Sequence, residues 1–435
     1  MNGISAGSDE SVVPEGLLAP YRILDLTDER GLLAGHLLAQ LGADVIQVEQ
    51  PGGSRARGVG PFEQGQGEYP ASLFWAAYAA GKRSIVVAID TPEGRDLLLR
   101  LVAEADMLIE SAEPGRMAEL GLDYAQLRTV NPRLIHVSIT AYGSDGPKAH
   151  YADSDLTVWA SAGPLALSRA PSGLPLRISA PQTFHHAAAD AACGALMALL
   201  ARGESGTGQH VEVSAQASTT ICTLFGHLAA AVNHEDYSMA NAGSEKKQLD
   251  LSGSGARTIK TKWLVRDGIV EMHVGIGTAA GRFSNALFGW LREIGDCPDE
   301  FAGWDWIKVP QRIEAGEITM EQVDRARDHV GDVLARYTLN ELVVVAQDKG
   351  LMLAPILTTA DLLDSPQLVA REFFVPIEEG DRTRLLPAPF NGCGIRHSGI
   401  RPAPAIGAHN AEVLEELLGL SVADVAGLVG QGIVR

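Results

Sequence analysis

Cysteine is scarce in this chain: four residues in 435, Cys193, Cys222, Cys297 and Cys393, with no CxxC pair among them. Such scatter argues against a zinc knuckle or a disulfide framework and predicts a reducing, cytoplasmic compartment. Positive charge is short too. Lysine and arginine number 35 against 54 aspartates and glutamates, with no basic cluster, so neither nucleic acid nor an anionic membrane surface is expected as a partner. The longest apolar run, Ala187 to Ala201, is broken by Asp190 and is too short to span a bilayer. The opening MNGISAGSDESVVPEG has no basic n-region and no apolar core, so residues 1–20 are expected to be a disordered lead and not a signal peptide. Missing as well are a GxGxxG after the first strand pattern, a GxSxG at a strand-to-helix elbow (GISAG, Gly3 to Gly7, lies in the lead), and a cysteine placed with a histidine and an acid. Their absence argues against dinucleotide binding and serine or cysteine hydrolase chemistry.

What remains is a globular composition, 46% hydrophobic and 20% charged over a length that suits two domains. From Tyr21 short β-rich runs (YRILDL, ADVIQVE, RSIVVAI, MLIES, RLIHVSI) alternate with helical ones. The clearest helix opens at TPEGRDLLLRLVAEA, with Thr91 as N-cap and Pro92 in the first turn. Alternation of this kind predicts an α/β class, a Rossmann-like parallel sheet covered by helices, with ligands at the carboxyl ends of the strands. From Leu224 to Arg336 the rhythm changes, around the strand pair WLVRDGIVEMHV and the helical FSNALFGWLREIG. We therefore expect a large domain over 21–223, a smaller α+β domain over 224–336, and a return to the large domain over 337–435, with a linker around Pro387 to Pro404.

Several constellations have a bland and a chemical reading. GESGTGQ, Gly203 to Gln209, follows a helix and precedes a strand, the reverse of a phosphate-cradling loop, and is expected to be a turn. His185, His186 and Asp190 offer two imidazoles and a carboxylate, with His186 and Asp190 on one helix face at i, i+4. Two ligands do not make a metal site, so no metal is expected and the three residues are assigned to the start of the helix. The Ala- and Gly-rich helix behind them is expected to pack backbone-close on its neighbours. SGSGA, Ser252 to Ala256, is either a hinge or a loop whose amides could cover a carboxylate.

Four longer phrases carry a resemblance: RILDLTDERGLLAGHLLAQLGADVIQVEQPGG; the stretch from GKRSIVVAIDTPEGRDLLLRLVAEA to AYGSDGP; ARGESGTGQHVEVS; and RPAPAIGAHNAEVLEELLGL. Together they resemble the family III CoA-transferases, the CaiB/BaiF family that includes formyl-CoA transferase, carnitine CoA-transferase and the α-methylacyl-CoA racemases. The resemblance implies a Rossmann-like large domain built from both chain ends, a small central domain, and an interlocked dimer. It also implies an aspartate that attacks the acyl-CoA thioester, with no metal or organic cofactor and coenzyme A thioester as substrate.

Carried over residue by residue, the same resemblance implies a missing nucleophile. Measured back from Arg202 and Gly206-Thr207-Gly208-Gln209, the aspartate position falls on Phe184, and the histidine used by the racemase branch falls on Ser154, before DLTVWASAG. Three positions that meet CoA phosphates with cations in formyl-CoA transferase-like members are Gln50, Asp90 and Glu119 here. Arg30, Gln50, Ser111 and Arg116 remain as candidate CoA contacts, with Lys82-Arg83 as a further basic pair or a strand-edge feature. The expectation is a subunit of a heteromeric CoA-transferase, resembling succinyl-CoA:benzylsuccinate CoA-transferase, whose homologous partner brings the aspartate. Two alternatives stay open: a lyase or isomerase using His185, His186 or Asp190, and a homodimeric scaffold without turnover.

Overall fold

A computed structural model describes residues 16–19, 21–63, 71–167, 174–232, 247–248, 257–258, 261–380, 382–388 and 400–435. Among the described residues the chain packs as two units: one takes residues up to 167, 175–232 and 370–435, the other 174, 247–248, 257–258 and 261–369. Most of the expected lead, the SGSGA loop and most of the expected linker lie outside the described residues.

The first unit is built on strands β1 (Arg22–Leu26), β2 (Asp44–Glu49), β3 (Arg83–Val86), β4 (Met107–Glu110), β5 (Ile135–Thr140) and β6 (His210–Ser214). They form one sheet in the order β3-β2-β1-β4-β5-β6, with every neighbouring pair parallel. β3, β4 and β5 are buried at every residue, because helices cover both faces. On one face α1 (Leu32–Gln40) packs with the long helix Thr183–Ser205 against Ile23, Val45, Met107 and Val137. On the other, α2 (Pro92–Ala103) packs Leu97, Leu98 and Leu101 against Leu24, Ile85 and Leu108. Val413 and Leu414, from the C-terminal helix Asn410–Leu418, join that second face, so both chain ends build the unit. Because the strand order reverses between β1 and β4, their carboxyl ends diverge and open a crevice there.

Local chemistry sets several of these elements. Thr91 accepts from the Gly94 N–H at 3.1 Å, with Pro92 in the first turn, so α2 starts where the sequence places it. After α3 (Tyr124–Val130) and α4 (Asp155–Ser161) comes α5, Thr183–Ser205. This helix is 23 residues long and is apolar enough by length and composition to cross a membrane, longer than the apolar run alone suggests. Its alanines instead lie on the sheet, and a Cβ on Gly194 would sit 2.7 Å from Val211 Cγ1. The GESGTGQ segment is the C-cap and turn into β6: Gly206 is left-handed at φ 72°, and a side chain on Gly208 would collide with the Leu134 carbonyl.

A buried polar knot ties the end of β1. Lys82 Nζ donates to Asp25 Oδ2 at 2.7 Å, Leu32 O at 2.9 Å and Gln47 Oε1 at 3.1 Å, with both charged side chains 0% exposed. Asp25 Oδ1 accepts from Thr27 N and Oγ1, and Gln47 Nε2 donates to the carbonyls of Asp25 and Thr27. Arg83 bonds Asp44, Glu412 and Glu416, joining the sheet edge to the C-terminal helix. The Lys82-Arg83 pair is therefore spent inside the fold and does not face a ligand.

The second unit has antiparallel strands Lys262–Val265, Gly268–Met272 and Leu353–Ile356. Its core holds Trp263 and Trp306, fully buried, with Phe288 stacked on Trp306 at 4.5 Å. The sequence divided the chain at 224 and 336. The contacts divide it later, because helix Leu339–Lys349 buries Leu342 and Ala346 in the tryptophan core and Leu353–Ile356 adds the third strand.

Candidate active-site cleft

At the switch point β1 leads into Thr27-Asp28-Glu29-Arg30 and β4 into Ser111-Ala112-Glu113, and Glu29, Arg30 and Glu113 of these segments line a cleft of about 590 Å³. Ser111 Oγ donates to Asp28 Oδ1 at 2.9 Å and accepts from the Asp28 N–H at 3.0 Å, joining the two strand ends. Arg30 donates to Asp28 at 3.1 and 3.0 Å, to Glu113 at 2.7 Å and to Asp153 at 3.3 Å. Burial alone would lower its proton affinity, but the hydrogen-bonded carboxylates more than reverse that. With its donors spent on three carboxylates, Arg30 does not offer the phosphate fork expected of it.

The opposite wall comes from the N-termini of α4 and α5. Ser154 and Thr157 form a capping box on α4. Asp155 reaches across to α5, its Oδ1 accepting from Gln182 N at 2.7 Å, Thr183 N at 2.9 Å and Thr183 Oγ1 at 2.8 Å. The start of α5 is therefore held by Asp155, and the role expected of His185, His186 and Asp190 is not theirs. Phe184 lines the cleft at 7% exposure. His185, also in the wall, stacks on Phe74 at 6.3 Å and lies tilted against Tyr78 at 5.0 Å, and burial lowers its pKa, which favours the neutral imidazole. His186 turns to Trp159, with Cys222 Sγ 4.0 Å away, and Asp190 is exposed. The three residues thus diverge, and among the described residues no group of three His, Cys, Asp or Glu could hold a metal.

The residues expected to meet CoA are likewise placed apart. Gln50 follows β2, its carbonyl accepting from Gly53 N at 2.7 Å. Arg116 donates to Asp90 at 2.5 Å and to Glu119 at 3.1 Å. The two acidic residues at expected cation positions therefore hold an arginine between them.

Sequence reasoning missed a buried pair within the sheet, Glu110 on β4 and His136 on β5. Glu110 Oε2 accepts from the Ala112 N–H at 2.6 Å, and its other oxygen stands 3.8 Å from His136 Nε2. Burial pushes the Glu110 pKa up to about 7; burial and nearby His210 pull His136 down to about 3. A single glutamate in a strand carries no signal of this, because the burial that shifts it is imposed by the sheet around it and His136 arrives from β5. For Glu110 the folded-state pKa is the higher one, so its contribution is greatest at low pH and declines as pH rises towards 7, beyond which a constant penalty of about 3 kcal/mol remains. Glu110→Gln, which mimics the protonated form, should gain stability relative to the parent by about 2–3 kcal/mol between pH 5 and pH 8 in urea unfolding. A pH-independent difference would show that Glu110 stays ionised when buried.

The sequence model of CoA-transferase family III matches residues 18–410. The chain is 31% identical over 416 residues to succinyl-CoA:(R)-benzylsuccinate CoA-transferase subunit BbsE of Thauera aromatica, covering 91% of this chain and 93% of that one. It is 29% identical to succinate–glutarate CoA-transferase of Agrobacterium fabrum, covering 92% and 95%. Among solved structures it resembles a CaiB/BaiF family protein from Brucella suis, with a TM-score of 0.69 and 25% identity over 93% of this chain and all of that one. Rv3272 of Mycobacterium tuberculosis is similar at a TM-score of 0.68 and 27% identity, over 92% of this chain and all of that one.

Proposed function

The chain belongs to CoA-transferase family III, and from that premise we propose that it is the nucleophile-lacking subunit of a cytoplasmic, heteromeric CoA-transferase. The complex moves CoA from a donor acyl-CoA, such as succinyl-CoA, to a free carboxylic acid. In such a reaction an aspartate attacks the thioester carbonyl, giving an acyl anhydride and CoA thiolate. The thiolate then attacks the aspartyl carbonyl and frees the first acid, and the acceptor acid repeats the two steps in reverse.

One observation carries the assignment of that aspartate to a partner: each carboxylate lining this cleft already holds an arginine or a helix start by at least one oxygen. Glu113 and Asp153 hold Arg30, Asp155 holds the start of α5, and Glu29 pairs with Arg55 at 3.1 Å. Phe184, at the position where motif spacing sets the nucleophile, is a hydrocarbon ring. A second subunit also suits the outer surface. Helix α6 (Leu224–Ala231) has no buried residue, and Leu224, Phe225, Leu228 and Val232 are each more than half exposed, as are Met197 and Leu200 on α5. No Asp, Glu, Lys or Arg occurs from Val213 to Val232, a composition suited to burial against another chain. The relative named as a subunit supplies the precedent.

The test is chemical trapping. The chain is co-expressed with a homologous subunit that carries aspartate at the position of Phe184, and the purified complex is incubated with succinyl-CoA and then hydroxylamine or borohydride. Peptide mapping should find the modified aspartate in the partner and none in this chain. A label on one of this chain's own carboxylates would overturn the reading.

A further inference from the structure

A free acid entering this cleft meets an excess of negative charge. Arg30 is saturated by Asp28, Glu113 and Asp153, and His185 is neutral in its aromatic wall. Arg55 is different. It opens a 3-10 turn, Arg55–Gly58, beside the cleft, and its side chain is 76% exposed. Among the described residues its one ion pair is with Glu29 Oε1, at 3.1 Å through Nη2, which leaves the rest of the guanidinium fork unspent. Its neighbour Arg57, by contrast, is consumed by Glu49 and lies over the Trp75 ring at 3.7 Å.

Glu29 supplies the second observation. Its Oε2 is buried and has no hydrogen-bond partner among the described residues, an arrangement that costs free energy wherever it persists. A carboxylate held by one oxygen at a single guanidinium nitrogen is a loose pair, and a ligand carboxylate offering two oxygens to the same fork would displace it.

We propose that Arg55 receives the second, non-reacting carboxylate of a dicarboxylic substrate, and that Glu29 is its resting partner, competing with that carboxylate for the guanidinium. The proposal rests on the CoA-transferase reading above and adds the substrate class. A monocarboxylic acid has nothing to exchange with Glu29, whereas a dicarboxylic acid replaces the loose pair with a bidentate one. The Glu29–Arg55 pair thus acts as a filter for dicarboxylates at the mouth of a cleft whose other arginine is already saturated.

Calorimetry on the two-subunit complex, with succinate and butyrate as probes of equal chain length, tests the proposal without turnover. Arg55→Gln should weaken succinate binding on the order of 10-fold and leave butyrate unchanged, and Arg55→Lys should recover only part of the loss. Glu29→Gln should act in the opposite direction, tightening succinate several-fold, because it removes the competitor. If the pair were merely structural, both variants would shift binding in the same direction, and that result overturns the proposal. So does an Arg55→Gln variant that loses CoA affinity while keeping succinate affinity, which would place Arg55 on the nucleotide. A complex that binds succinate through Arg55 yet transfers no CoA would sink the functional reading and leave this inference standing.

Discussion

Purified alone, the chain is expected to transfer CoA between succinyl-CoA and a free acid more slowly than its complex with an aspartate-bearing subunit, by on the order of 10⁴-fold or more, the scale on which removal of a covalent nucleophile acts. Replacing the partner's aspartate by alanine should abolish the activity of the complex to the same extent. Phe184→Ala in this chain should leave kcat within about 3-fold, because a ring that packs in the wall does no chemistry. Phe184→Asp should not rescue the isolated chain. Position 184 lines the cleft, but the positions expected to meet the CoA phosphates with cations are Gln50, Asp90 and Glu119 here, so an aspartate there has no held thioester to attack. Arg116, the nearest substitute for the missing phosphate contacts, is meanwhile bound between Asp90 and Glu119. Rates measured by following acyl-CoA exchange decide the matter. Turnover by the wild-type chain alone would mean that the catalytic carboxylate belongs here and that the motif spacing has been misplaced, whereas turnover by Phe184→Asp alone at more than a thousandth of the complex would uphold the spacing and show that this chain's CoA contacts suffice without a partner.

The parallel sheet was legible because its cause is local: runs such as YRILDL and RSIVVAI alternate with helical stretches, and Thr91-Pro92 marks a helix start by its own chemistry. The reversal of strand order at β1 and β4 was not, since it depends on which strands pair, yet that reversal positions the cleft. The candidate site was legible at the level of residue types and not of partners. Arg30 and Arg116 looked like free cations because Glu113, Asp153 and Asp90 lie 83, 123 and 26 residues away in the chain. His185 and His186 looked like one unit because they are adjacent, but successive residues of a helix point about 100° apart, so one enters the cleft wall and the other faces Trp159. The cap of α5 was invisible for the same reason, as Asp155 arrives from another helix. Arg55 and Glu29 were passed over because neither belongs to a motif, and only the orphaned oxygen makes them notable.

Lys82 is where the fold and the cleft depend on one group. Lys82→Met should destabilise the protein by about 3–5 kcal/mol, because it strands the carboxylate of Asp25 in the core without a counter-charge. The pair is 0% exposed on both sides, so water cannot replace the lost ammonium. Burial lowers the Lys82 pKa while Asp25 opposes the shift. That opposition marks the pair as one whose halves are worth little apart. Adding Asp25→Leu to Lys82→Met should therefore recover part of the loss, although not all, since Asp25 also accepts from Thr27 N and Oγ1. Urea unfolding of the single and double variants gives the coupling directly, and a cost for Lys82→Met below about 1 kcal/mol would mean that the pair is not the anchor it looks to be. The same knot fixes Thr27, one residue before Asp28 and two before Glu29. Where the double variant still folds, it should release the β1 end, loosen Glu29 from Arg55 and shift succinate affinity in the same direction as Glu29→Gln, even though neither substituted residue lines the cleft.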